Sequence, residues 1–244
     1  MKRKLPETTP YSGRAHRLIP SLYSEPPGTV LASIADDEAM LQDAMLLDGA
    51  SNERIQAELH GLAGIGIHEL VFAIPHSQII NAAFTHAAPA GSRFNDNQRG
   101  AWYAAVAQSV AIEEIMFHKG RNLADMIDRQ KHESFTYVDW VADFRADFHT
   151  LLPREDYKEF LEPAPIPACY ARSQTLANQL LSEGSPGILY PSVRAEPAAK
   201  DPRCIACFRP ALVQNVREDR SFEISFTLSG ASYLGSVTRL SSTH

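Results

Sequence analysis

Apolar and polar positions along the chain change period several times. Residues 36–47 carry apolar side chains at helical spacing behind Asp36 and Asp37, which suit a helix N-terminus, and Gly49 closes the run. Residues 52–59 predict a second short helix ended by Gly61. Residues 17–23 read as extended, with Pro20 and then Pro26 and Pro27 as punctuation. Residues 68–74 suit a strand, and a long loop rich in Ala, Pro and Gly follows it into Gly91-Ser92-Arg93-Phe94-Asn95. Further on, 101–104 predicts a strand, 108–119 a helix and 135–141 an alternating strand. The charged stretch 143–160 reads as partly helical. Residues 173–181 have a helical period that Gly184-Ser185-Pro186-Gly187 ends. Short strands follow at 188–190, 204–208 and 222–228. Helices and short strands without regular βαβ alternation predict an α+β fold.

Residues 1–15 are polar, contain two prolines and predict a flexible arm; the Ser/Thr-rich end, 231–244, predicts a frayed tail. Between them, 16–230 reads as one domain, with 35–61 as a helical insertion. No repeat is visible, and no apolar run reaches membrane-spanning length. The polar, proline-containing start lacks the apolar core of a secretory signal, so a cytoplasmic protein is expected.

A net charge of −6 excludes a protein that coats nucleic acid, which draws on lysine and arginine against phosphate. Three cysteines, Cys169, Cys204 and Cys207, are too few and odd in number for a disulfide framework. The single CxxC lies in an alternating apolar run and reads as structural. No dinucleotide fingerprint or phosphate loop is present, and Gly64-Ile-Gly-Ile lacks the third glycine. There is no nucleophile elbow. The nine histidines fall at no zinc spacing, so no metal is expected.

Three segments carry candidate chemistry. In the 108–119 helix, Ala107, Val110, Ala111 and Ile115 share a face, and Glu114 lies on or beside it. Glu113 is turned roughly 100° away. An inward carboxylate is costly unless paired or used, so Glu114 is either an active-site acid or a glutamate that escapes to solvent at the rim. Arg93, in a glycine-bounded turn, either presents a planar fork to a phosphate or sits on the surface. Ser192, at the end of Tyr190-Pro-Ser-Val-Arg194, either orients a ligand or caps a turn.

Taken in order, these runs resemble the RES-domain family. Its pattern is an arginine in a GxRFN-like turn, a tyrosine, a glutamate in an A-[LI]-x-E helix and a serine in a YPS-like strand end. The matching pieces here are Gly91-Ser-Arg93-Phe-Asn95, Gly100-Ala-Trp-Tyr103, Ala111-Ile-Glu-Glu114 and Tyr190-Pro-Ser192-Val-Arg194. Tyr103 follows Arg93 by ten residues, and Glu114 follows Tyr103 by eleven. Arg17-Leu-Ile-Pro-Ser21 is similar to the family's opening, although the 35–61 insertion separates it from the rest. The glycine pair of many relatives after YPS is replaced by Ala195-Glu-Pro-Ala-Ala.

The resemblance implies an ADP-ribosyltransferase-like mixed sheet and an intracellular toxin. The toxin would cleave NAD⁺ at the nicotinamide–ribose bond and pass ADP-ribose to phosphate or water, so NAD⁺ would be a substrate and no cofactor would be needed. It places Arg93, Tyr103, Glu114 and Ser192 in catalysis, with Arg17, Asn95 and Arg194 binding substrate. It also implies growth arrest, neutralisation by an Xre-type helix-turn-helix antitoxin, and complexes that form larger oligomers. A protein ADP-ribosyltransferase would use the same four residues. A catalytically silent module that binds antitoxin or nucleotide is the reading from a different class, and the intact set of four argues against it.

Overall fold

The computed structural model describes residues 5–24, 64–196 and 198–241. The expected helices at 36–47 and 52–59, and with them the 35–61 insertion, lie outside the described residues. The architecture is α+β, built on a seven-stranded mixed sheet. In chain order the strands are β1 Thr8–Pro20, β2 Trp102–Ala105, β3 His132–Thr150, β4 Gly187–Pro191, β5 Arg203–Cys207, β6 Gln214–Ser229 and β7 Ser232–Arg239. The helices are α1 Ser77–Thr85, α2 Gln108–Ala124 and α3 Ala171–Ser182.

The strand order is β1-β2-β5-β4-β3-β6-β7, and β1 also pairs with β3, so five strands close into a ring from which β6 and β7 extend. Pairing is antiparallel except between β3 and β4. Strand alternation sorts side chains into two cores. Tyr190, Cys204 and Ala206 join the cluster under α2 and α3, with Tyr103 packed against it. Trp102, Ala104, Leu189, Ile205 and Cys207 join the cluster under α1. Cys204 and Cys207 therefore face opposite cores, and all three cysteines are buried and free. The CxxC spacing serves packing.

Four expectations need correction. The flexible arm is instead largely β1, whose residues from Thr8 onward pair with β3 in unbroken register. The tail is mostly β7, which pairs with β6 along its length. Residues 68–74 form no strand: a 3-10 turn spans Ile67–Glu69, and Asn81 of α1 bonds both the N–H and the carbonyl of Val71. The expected loop before Gly91 contains α1, with Ile79, Ile80, Ala83 and Phe84 buried. The stretch 143–160 divides: its first part continues β3, and a 3-10 segment spans Arg154–Phe160. Asp143, Arg145 and Asp147 alternate with Phe144 and Phe148, so the charges lie on one side of a strand whose other side is core. Among the described residues, no helix is long and apolar enough to cross a membrane.

Candidate active site

α2 lies across the sheet with Val110 fully buried and Ala111 nearly so. That orientation brings Glu114, one turn further on, to the wall of a cavity of about 480 Å³, together with Ile115 and His118. The opposite wall is supplied by Tyr103 of β2, Tyr190 of β4 and Cys204 of β5, with the 88–93 turn and Tyr170 at the side. Glu113 points elsewhere, and its Oε2 accepts the Glu196 N–H at 3.0 Å. The helical-face argument thus separates the two neighbouring glutamates as expected.

Ser192 follows β4 and donates a short hydrogen bond from its hydroxyl to Glu114 Oε1. Ser192 Oγ itself accepts the N–H groups of Arg194 at 3.1 Å and Ala195 at 3.0 Å. Ser192 therefore does both things the sequence left open: it closes the turn and presents an oriented proton to the carboxylate. His118, four residues along α2, places Nε2 at 3.6 Å from Glu114 Oε2. Burial pushes the Glu114 carboxyl upward, but His118, the Ser192 hydroxyl and Arg194 outweigh it and hold the group below its usual range. Glu114 is an ionised carboxylate in a largely enclosed site.

The 91–95 turn is built around Gly91, whose φ of +67° and approach to the Asn95 carbonyl leave no room for a Cβ. Ser92 and Asn95 close it as an isolated bridge, and Gln174 of α3 bonds the Ala90 and Ser92 carbonyls. Arg93 is buried; its Nη1 donates to the Phe160 and Glu162 carbonyls at 3.2 and 2.9 Å, and its guanidinium lies over the Tyr170 ring. The Tyr103 hydroxyl accepts the Phe94 N–H at 2.8 Å and donates to Asn95 Oδ1 at 2.9 Å. Tyr103 thereby locks the arginine turn, and burial raises its hydroxyl far above its ordinary pKa. Asn95 spends its amide on the Asp96 carbonyl, so the structure places it in the turn's scaffold and not on the cavity wall.

Arg194 lines the cavity with its guanidinium over Phe117, donates to the Pro163 carbonyl, and has a buried Nε without a partner. Burial and the neighbouring Arg93 both lower its pKa. Arg17 reaches the cavity wall, but its Nη1 donates to the Tyr103 carbonyl at 3.3 Å and its guanidinium lies over Trp102, a residue of the other core. Burial brings Arg17 down to about 10. Five of the seven candidate residues, Arg17, Arg93, Tyr103, Glu114 and Arg194, line the cavity, and Ser192 touches it through Glu114.

Sequence reasoning missed His16, Tyr170 and His118 as cavity residues. His118 was open to detection, because it stands four residues after Glu114 on the same helix face. Tyr170 follows cis peptide bonds at Pro165 and Pro167, in a segment with no periodic signal.

A family model described as the RES domain matches residues 70–227, well over half of the chain. The chain belongs to the RES-domain family. The match spans Arg93, Tyr103, Glu114 and Ser192 and begins after Arg17. A solved chain similar to this RES protein comes from the crystal structure of the M. tuberculosis MbcT–MbcA toxin–antitoxin complex, with a TM-score of 0.42 and 9% identity over 88% of this chain and 85% of that one. No curated protein sequence matches the chain.

Two outcomes follow for this RES site. Ser192→Ala removes one of the groups that lower the Glu114 pKa, so that pKa rises toward its ordinary value. An activity that needs ionised Glu114 then loses its acid side at a higher pH than in wild type, which a pH–rate profile reads directly. Tyr103→Phe strands a buried N–H at Phe94 and leaves the Asn95 side-chain Oδ1 without its donor, and is expected to destabilise the fold by about 1–3 kcal/mol. Chemical denaturation measures that loss.

Proposed function

We propose that the protein is the toxin of a toxin–antitoxin pair and splits NAD⁺ at the bond between nicotinamide and ribose, passing ADP-ribose to phosphate or water. The observation that carries this reading is the Glu114–Ser192 pair: an ionised carboxylate, oriented by a hydroxyl that two backbone N–H groups hold, on the wall of a cavity of small-molecule size. As nicotinamide departs, the ribose gains oxocarbenium character, as a sugar does in glycoside hydrolysis. A fixed negative charge beside it stabilises the transition state more than the ground state.

The cations have complementary work. Arg93 retains donors beyond the two carbonyls that its Nη1 satisfies, and the Arg194 guanidinium lines the cavity beside it. A pyrophosphate between the two would take those donors and relieve the repulsion between the guanidiniums. Tyr170 and Tyr190 give aromatic walls suited to a flat nicotinamide or adenine ring.

Expression in a bacterial host tests the reading. Wild type is expected to stop growth with a fall in cellular NAD⁺, and co-expression with a helix-turn-helix partner from the neighbouring gene is expected to restore both. Growth arrest with NAD⁺ at its normal level contradicts the proposal.

A further inference from the structure

Among the described residues, Asp139 on β3 is the one carboxylate fully shielded from solvent. A buried carboxylate is costly unless its partners compensate. No arginine or lysine among the described residues pairs with it. Its Oδ2 accepts from His16 Nδ1 at 2.8 Å and from the Gln108 amide at 2.5 Å, while Oδ1 has no partner. A residue kept only for packing has no need of this half-satisfied arrangement.

The imidazole gives it a purpose. A carboxylate only accepts, so a proton sits on His16 Nδ1, and in the neutral imidazole the lone pair is on Nε2. Nε2 has no hydrogen-bond partner among the described residues and is not among the buried atoms sealed off without one. It opens on the cavity, whose wall His16 shares with Leu18, Ala105 and Ala111. Gln108, which braces Asp139, precedes Glu114 by six residues on α2, about 9 Å along the helix axis. His16 and Glu114 line the same cavity, so an acceptor beside the imidazole and a ribose beside the carboxylate would share one space.

We propose that His16 is a catalytic base for the acceptor, with Asp139 and Gln108 as the residues that position it. The inference rests on the NAD⁺-cleavage reading. The acceptor oxygen bonds to C1′ of the nicotinamide ribose as the C1′–N bond breaks. The bonding pair leaves with nicotinamide, which departs neutral. The acceptor's proton passes to His16 Nε2, and Asp139 balances the imidazolium so formed. Solvent then removes that proton through the cavity mouth.

An acceptor with no proton to lose does not need the base, and this separates His16 from a structural residue. With the purified full chain in phosphate-free buffer, nicotinamide release is followed with water alone and with added azide. His16→Gln is expected to slow the water reaction about 10²-fold or more. Azide is expected to restore release to within a few-fold of wild type under the same conditions, yielding azido-ADP-ribose. Asp139→Asn should show a milder form of the same split. The wild type itself gives a reading that needs no variant: with water and azide in competition, the product ratio should shift toward azido-ADP-ribose in D₂O. Equal losses with both acceptors in a folded His16→Gln protein, an unchanged water rate, or a product ratio indifferent to D₂O overturns the role of His16. Wild type that releases no nicotinamide with either acceptor overturns the NAD⁺ reading itself.

Discussion

Replacing Glu114 with glutamine is expected to cost about 10²–10³ in the rate of nicotinamide release, the scale on which one preorganised electrostatic group contributes to a transition state. Glutamine keeps the size of the side chain and can still accept from Ser192, so the cavity wall stays in place. What disappears is the negative charge. The loss should therefore fall on kcat, with KM for NAD⁺ little changed. Folding stability follows the same ionisation as activity. Because the fold lowers the Glu114 pKa, the ionised carboxylate contributes stability above its ordinary unfolded value, and that contribution fades as pH falls through the folded value. Glu114→Gln removes this part of the acid sensitivity. Thermal melts of the two proteins across the acid range, beside their rates at neutral pH, check both statements. A variant with wild-type turnover shows that Glu114 is not the charged group the reaction uses.

Phe94→Ala is expected to carry the largest stability cost, about 3–5 kcal/mol, the range for truncating a buried phenylalanine. Phe94 is 1% exposed, belongs to the core under α2 and α3, and meets Tyr190 edge-on with ring centroids 4.7 Å apart. Against a total of about 5–15 kcal/mol for a typical domain, that is a large share. The effect reaches function too, because Phe94 anchors the turn that carries Arg93. A lower urea midpoint at unchanged slope is the predicted signature, together with weaker NAD⁺ binding. A midpoint within about 0.5 kcal/mol of wild type would show that the turn is held by Tyr103 and Gln174 without its aromatic anchor.

The sequence made the local parts of this site readable where periodicity and chemistry agreed. The helical face of 108–119 pointed to Glu114 over Glu113, and the structure turns them as that face requires. Other features were hidden for identifiable reasons. Charges at Asp143, Arg145 and Asp147 masked the alternation that continues β3, because solvent covers one side of that strand there. Pro10 and Gly13 disguised β1, although its pairing with β3 is continuous across both. β7 is short of apolar side chains and is held through its backbone ladder to β6. The His16–Asp139 contact joins positions 123 residues apart, and only the antiparallel pairing of β1 with β3 brings them together. Asn95 looked like a ligand group from its place in the motif, but its hydrogen bonds with Tyr103 and the Asp96 carbonyl make it part of the turn.

The central claim is tested most directly by incubating the purified chain with NAD⁺ and following nicotinamide and the ADP-ribosyl product by proton NMR, with and without phosphate. The account predicts one nicotinamide released for each NAD⁺ consumed, with free ADP-ribose formed in water or its phosphorylated form when phosphate is present. NAD⁺ that stays intact under both conditions, in a protein shown to be folded, contradicts it.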